Sequence, residues 1–200
     1  MENGGCYTII QKKGSCEDIN NYLGISILTT VAKLFEKLIH KQILEYLDKN
    51  NILSGDQHEF RANHSCETSL HEVITEINKI RSKRLIGLLL FIDFRKAFDT
   101  IDSQILLIKL KKYGFYKLIN YFANRIQQVK IDENILDPLE IKLGVHQGSV
   151  LGPLLLLIFI NDILSYLKDF MVKLFADDTT IIQTDSNFQR LLTNFNQTSK

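Results

Sequence analysis

The sequence predicts an α+β fold built on an antiparallel sheet, and three observations predict it. The elements come in the order helices, strand, helices, strands, helix, hairpin. Two β-rich runs, Met171–Phe175 and Thr179–Gln183, are separated only by Ala176-Asp177-Asp178, which is the pattern of a hairpin with acidic residues at its tip. A third run, Leu85–Phe94, is continuously apolar and ends in a charged cluster, as suits a strand buried on both faces.

Residues 1–20 carry little periodic apolar signal and read as a loosely held lead-in. From Val31 to Leu47 the positions Val31, Leu34, Phe35, Leu38, Ile39, Ile43, Tyr46 and Leu47 trace one helix face, with Thr29 or Thr30 as cap and Asn50-Asn51 as exit. A second helix is expected from Cys66 to Ile80, with Ser65 as N-cap and Leu70, Val73, Ile74, Ile77 and Ile80 inward. After the Leu85–Phe94 strand come a helix from Ser103 to Tyr113, stopped by Gly114, and another over Lys117–Gln127. Gln128–Ile131 and Ile135–Leu143 read as short strands, the second placed near an edge by Pro138. Gly144–Gly148 is a glycine-bracketed loop leading into a helix over Val150–Tyr166, with Pro153 tolerable in its first turn. Phe188, Leu191, Leu192 and Phe195 recur at helical spacing close to the last residue, Lys200, and such a helix expects further protein to bury its face.

Composition narrows the function class. Of 200 residues, 45% are hydrophobic and 24% charged, enough for a real core. A net charge of +1 means that any nucleic-acid footprint is local, at Lys79, Arg81, Lys83 and Arg84 or at Lys109, Lys111, Lys112 and Lys117, unless these runs are solvated helix faces. Cys6, Cys16 and Cys66 lack metal-ligand spacing and read as thiols of a reducing compartment. No apolar run approaches the roughly 20 residues of a membrane span, and the first residues do not form a signal peptide, so an intracellular, membrane-free protein is expected.

Asp93 ends the apolar strand, and Asp177-Asp178 joins the two hairpin strands. Taken singly, each has a plain explanation, since Asp is common at strand ends and in turns. Adjacent carboxylates repel each other, however, unless a cation lies between them. If the two elements bring the three carboxylates to one sheet end, hard divalent ions become natural partners. Two such ions about 3.5–4 Å apart can activate a hydroxyl and stabilise a leaving pyrophosphate.

Phe91-Ile92-Asp93-Phe94-Arg95-Lys96-Ala97-Phe98-Asp99, Gly144-Val145-His146-Gln147-Gly148-Ser149-Val150-Leu151-Gly152-Pro153 and Phe175-Ala176-Asp177-Asp178 stand in this order. They resemble motifs A, B and C of reverse transcriptases from non-LTR retrotransposons, most closely the jockey type. Asn21-Tyr22-Leu23-Gly24-Ile25-Ser26 and Gln57-His58-Glu59-Phe60-Arg61 look like the family's fingers motifs, with Leu34–Ile39 and Leu53-Ser54 fitting between them. The resemblance implies a right-hand polymerase fragment, with fingers at roughly 21–84 and 114–145, palm at roughly 85–113 and 146–200, and no thumb. It implies RNA-directed DNA synthesis by two-metal nucleotidyl transfer, with two Mg²⁺ ions (Mn²⁺ a substitute), an RNA template, a DNA primer and dNTPs, in the nucleus. It makes Asp93, Asp177 and Asp178 the catalytic metal ligands, joined by the main-chain carbonyl of Phe94. Phe98 would lie under the incoming sugar and exclude a ribose 2′-hydroxyl, or else pack in the core. Gln147 and Gly148 would lie against nucleotide and template, and Arg61 would meet the triphosphate unless it pairs with Glu59. Asp99 or Asp102 is left to cap the helix that follows.

The sequence also departs from the family. Leu23-Gly24 stands for Arg-Pro, His58 and Glu59 for an aromatic and a glycine, Asn63 for a second glycine, and His146 for the proline before Gln147. Together with the missing thumb, these departures imply a truncated, decayed copy. The alternative to an enzyme is therefore a catalytically silent remnant that binds nucleic acid through its basic runs. A metal-dependent phosphodiesterase fits less well, because hydrolysis needs no sugar gate.

Overall fold

The computed structural model describes residues 7–12, 15, 22–122, 126–131 and 134–198. The elements are β1 (Tyr7–Lys12), β2 (Tyr22–Ile27), α1 (Thr30–Lys49), α2 (Cys66–Ser82), β3 (Ile86–Asp93), α3 (Ala97–Thr100), α4 (Ser103–Lys112) and α5 (Tyr116–Phe122). They continue with β4 (Ile126–Ile131), β5 (Asn134–Ile135), β6 (Leu139–Glu140), α6 (Gly152–Ile160), α7 (Ile163–Tyr166), β7 (Met171–Phe175), β8 (Asp178–Asp185) and α8 (Phe188–Thr198). The chain divides into two compact units, residues 1–50 with 96–159 and residues 51–95 with 160–200.

The first unit holds a sheet in the order β2-β1-β4-β5, with β6 also on β4. β1 runs antiparallel to β2 and parallel to β4, so this sheet is mixed. Tyr7–Lys12 thus forms a strand inside the stretch expected to be a loose lead-in, because pairing across the chain supplies what local periodicity lacks. The rest of that stretch, apart from Ser15, lies outside the described residues, as do Cys6 and Cys16.

α1 is capped by Thr29, whose side chain accepts from the Ala32 amide at 3.2 Å. Its buried face matches the expected one only in the second half of the helix. Ile43, Leu47 and Glu36 are buried, whereas Val31 is 78% exposed and Leu34, Phe35 and Leu38 also face solvent. The carboxylate of Glu36 explains the difference, because Oε2 accepts from the Val150 amide at 2.7 Å and so points this face inward. That bond satisfies an amide at the head of α6, whose residues Leu154–Ile158 are all buried, the mark of a central helix. Asp102 caps α4 by accepting from the Gln104 and Ile105 amides, and Gly114, at φ +87°, ends the helix. The helix expected over Lys117–Gln127 stops at Phe122, and Ile126-Gln127 belong to β4 instead. Pro138 splits the expected Ile135–Leu143 strand into β5 and β6.

The second unit is a three-stranded antiparallel sheet in the order β3-β8-β7. Val73 and Ile80 of α2 pack with Ile182, Leu85 and Leu89 on one face. On the other face Val172, Leu174 and Ile181 pack with Leu90, Ile92, Ile163 and Phe170. β3 is an edge strand, and Phe91 is 70% exposed, which corrects the expectation of burial on both faces. The helix expected over Val150–Tyr166 breaks at Asn161-Asp162. There the Asn161 side chain donates to the Ile52 carbonyl at 2.8 Å and accepts from the Ser54 amide at 3.2 Å.

Candidate active site

Side chains alternate across a strand, so Leu89, Phe91 and Asp93 share one face of the sheet with their register partners Ile182, Thr180 and Asp178. α2 covers Leu89 and Ile182, and beyond it the face opens. At the open end Asp93 stands directly opposite Asp178, and Asp177 precedes Asp178 at the tip of the β7–β8 hairpin. A cavity of about 350 Å³ is lined here by Phe91, Ile92, Asp93, Asp178, Thr179 and Thr180. Burial raises the Asp178 carboxyl above its ordinary value, and the charges of Asp177 and Asp93 raise it further. Three mutually repelling oxygen donors of this kind fit a divalent cation in donor type and charge. Among the described residues no three His, Cys, Asp or Glu side chains are gathered tightly enough to chelate one.

The turn carrying Asp177 is itself held. Ala176 is buried and takes φ +51°, in the left-handed region that favours glycine. The segment Asp56–His58 lies along β7: the Leu174 amide donates to the Asp56 carbonyl and the His58 amide to the Leu174 carbonyl, both at 2.9 Å. Gln57, 2% exposed, accepts on Oε1 from the Ala176 amide at 3.3 Å and the Glu59 amide at 3.0 Å. Glu59 stands where the resemblance expects glycine, and its carboxyl is raised by burial and then by Asp177. Beneath this segment Lys173 bonds Asp56 at 2.6 Å and also Glu72, which lies 3.6 Å from buried His58. Arg61 donates to the Ser54 and Gln57 carbonyls. Phe94 follows β3, with its side chain lining an apolar cavity beside Ile92, Ile163 and Phe170.

The remaining expected residues meet in the first unit. Gly144, at φ +86°, donates its amide to the Ile101 carbonyl at 2.7 Å, and Val145 donates to the Phe98 carbonyl at 2.8 Å. These bonds tie the motif B loop to half-buried Phe98 and to Ile101. Gln147 donates from Nε2 to Asp99 Oδ1 at 3.3 Å, so Asp99 steadies the loop while Asp102 caps α4. Burial, first of all, raises the Asp99 carboxyl, against the pull of Lys96 and this hydrogen bond. Gly148, at φ +93°, sits so close to the Ser26 carbonyl that a Cβ would lie 2.8 Å from it. Ser26 returns a backbone bond to the Gln147 carbonyl and a 2.8 Å side-chain bond to buried His146. Ser26, Asp99, His146 and Gln147 share the lining of a cavity of about 120 Å³.

The structure thus brings Asp93, Asp177 and Asp178 together in one unit, with Phe94 and Arg61, and Phe98, Gln147 and Gly148 together in the other. Sequence reasoning gave no role to Gln57, Ser26 or Glu36. Each sits inside a segment quoted for its resemblance, but its work is a hydrogen bond across more than a hundred residues, and nothing local announces such a bond.

Comparison with known proteins places the chain in a family. The reverse transcriptase (RNA-dependent DNA polymerase) family matches residues 10–200. The probable RNA-directed DNA polymerase from transposon X-element of Drosophila melanogaster is 31% identical over 188 residues, 88% of this chain and 20% of the relative. The corresponding protein from transposon BS is 32% identical over 162 residues, covering 78% and 18%, and that from mobile element jockey is 28% identical over 186 residues, covering 87% and 20%. The chain therefore spans about a fifth of the length of these relatives. In fold it is similar to apo telomerase from Candida tropicalis truncated of its C-terminal domain, with a TM-score of 0.66 at 14% identity, covering 97% of this chain and 46% of the other. It is also similar to telomerase of that organism in complex with a TWJ fragment of telomeric RNA, with a TM-score of 0.68 at 11% identity, covering 96% and 38%. An acidic strand end registered against an acidic hairpin, a glycine-bracketed loop and a family match over nearly the whole sequence lead to one assignment: the chain belongs to the reverse transcriptase family.

Proposed function

We propose that the chain carries the nucleotidyl-transfer site of an RNA-directed DNA polymerase of a non-LTR retrotransposon, taking an RNA template, a DNA primer and dNTPs. The register opposition of Asp93 and Asp178, with Asp177 beside them, carries this reading. In it, Asp93, Asp177 and Asp178, with the main-chain carbonyl of Phe94, hold two Mg²⁺ ions, or Mn²⁺ in their place. Such ions lower the barrier to attack by the primer 3′-hydroxyl and neutralise the departing pyrophosphate. The chain's own part is to present three carboxylates at one sheet end despite their repulsion, and burial first, then the charges of Asp177 and Asp93, raises the Asp178 carboxyl. Gln147 is oriented by Asp99 toward the nucleotide, and Gly148 gives it a surface without side chain. Phe98 closes the floor under a deoxyribose, and the planar guanidinium of Arg61 meets the triphosphate. β3 and the β7–β8 hairpin belong to the palm in this assignment, and Gln57–Arg61 to the fingers. A nuclear site of action follows from the element's chromosomal target.

Primer extension on an RNA template with Mg²⁺ and dNTPs tests the reading, with D177N/D178N as control. Extension by the intact chain that disappears in the control is the expected outcome. Salt-sensitive RNA binding with no extension would instead favour a catalytically silent nucleic-acid-binding remnant.

A further inference from the structure

Gln57 is buried and its side chain bonds the turn of the acidic hairpin. Its Oε1 accepts from both the Ala176 and Glu59 amides, while its Nε2 is buried with no hydrogen-bond partner among the described residues. An amide buried with one end unpaired is unfavourable unless its other end secures something. What Oε1 secures is the amide of Ala176, a non-glycine residue at φ +51° immediately before Asp177. The backbone around Gln57 is fastened independently, through the two 2.9 Å bonds that link Asp56 and His58 to Leu174. The side chain therefore works from a fixed base on a strained turn.

We infer that Gln57 is a positioning residue for the acidic pair: by bonding the Ala176 amide it fixes the turn from which the Asp177 and Asp178 carboxylates project. This role rests on the reading of those carboxylates as holders of a divalent ion. Groups that orient a ligand set without touching the ion commonly change its affinity 10- to 100-fold when removed.

The test uses the intact chain and Gln57→Met, which keeps the volume and removes the acceptor. Three quantities are measured: amide hydrogen exchange at Ala176, Mn²⁺ affinity by electron paramagnetic resonance, and the melting temperature. Faster exchange at Ala176 and an Mn²⁺ affinity weakened by about 10-fold or more are expected. A lower melting temperature with unchanged Mn²⁺ affinity would reduce Gln57 to a structural residue and overturn the inference, as would unchanged exchange at Ala176. If Q57M does not fold, Gln57→Glu, which retains an acceptor oxygen, should still protect the Ala176 amide, and free exchange there would count against the role. D177N/D178N separates the two levels. Should it bind Mn²⁺ as tightly as the unaltered chain, the metal reading fails, and the Ala176 exchange rate alone decides whether Gln57 holds the turn.

Discussion

At the scale of single residues, the acidic hairpin carries strain that a glycine would relieve. An L-residue in the left-handed region costs about 1–2 kcal/mol, while glycine costs roughly 0.5–1 kcal/mol more backbone entropy on folding. Ala176→Gly should therefore stabilise the second unit by about 0.5–1 kcal/mol, read as a rise of a few degrees in melting temperature. A fall instead would mean that the buried methyl of Ala176 packs for more than the turn strains. The three aspartates were noticeable in the sequence because a carboxylate at the end of an apolar run is a local contrast, though only the resemblance to the family's motifs gave them a role. Gln57 and Glu36 were not, because a buried acceptor is recognisable only once its distant donor amide is known. The departures from the family divide in the same way. His146 replaces a rigid proline but gains a bond to Ser26 that only folding reveals.

At the scale of elements, the support beneath the hairpin is ionic and therefore sensitive to pH. Lys173 of β7 is buried, which lowers its ammonium, but its bonds to Asp56 and Glu72 outweigh that and raise it overall. The bond to Lys173 holds the Glu72 carboxyl below its ordinary 4.5. A depressed acid stabilises the fold above its unfolded value and loses that contribution as pH falls through the folded value. A raised base contributes fully below 10.5 and loses its share as pH rises past its folded value. His58 acts in the window between. Burial, before the opposing influence of Glu72, lowers its imidazole below 6.5. The unfolded chain therefore takes up a proton that the folded one resists, and stability declines as pH drops below about neutral. His58→Gln should flatten this part of the curve, so that its melting temperature changes less than that of the unaltered chain between pH 7.5 and 5.5. Equal slopes for the two would remove His58 from the account. Of the elements, the hairpin and the span of α2 followed from periodicity and caps, whereas Leu70 and Ile74 of α2, expected inward, are exposed. The inward face of the first half of α1 did not follow, since a buried glutamate overrode its apolar stripe, and neither did the break at Asn161, which a loop carbonyl imposes.

At the scale of the whole molecule, a net charge of +1 leaves no general attraction for nucleic acid, so affinity must come from particular cations. Lys79 is engaged by Glu76 at 3.0 Å, and Lys109 bonds the Phe159 carbonyl with its ammonium 4.8 Å from the Phe159 ring centre. Within the second basic run this leaves Lys111, Lys112 and Lys117, all exposed, as the side chains best able to meet phosphates. Each phosphate contact to a single strand contributes about −0.7 to the slope of log affinity against log salt. Neutralising the three, as K111Q/K112Q/K117Q, should make that slope shallower by about 2 in fluorescence anisotropy with single-stranded RNA. Lys109→Gln should lower the melting temperature and leave the slope nearly unchanged, because its contacts are internal. D177N/D178N, measured with chelator present, should leave the slope unchanged or make it slightly steeper, since it removes negative charge without adding a phosphate contact. If the triple variant keeps the full slope, the run on α4 and α5 is a solvated surface. The footprint must then be sought at Arg81, Lys83 and Arg84, beside the strand that leads to Asp93.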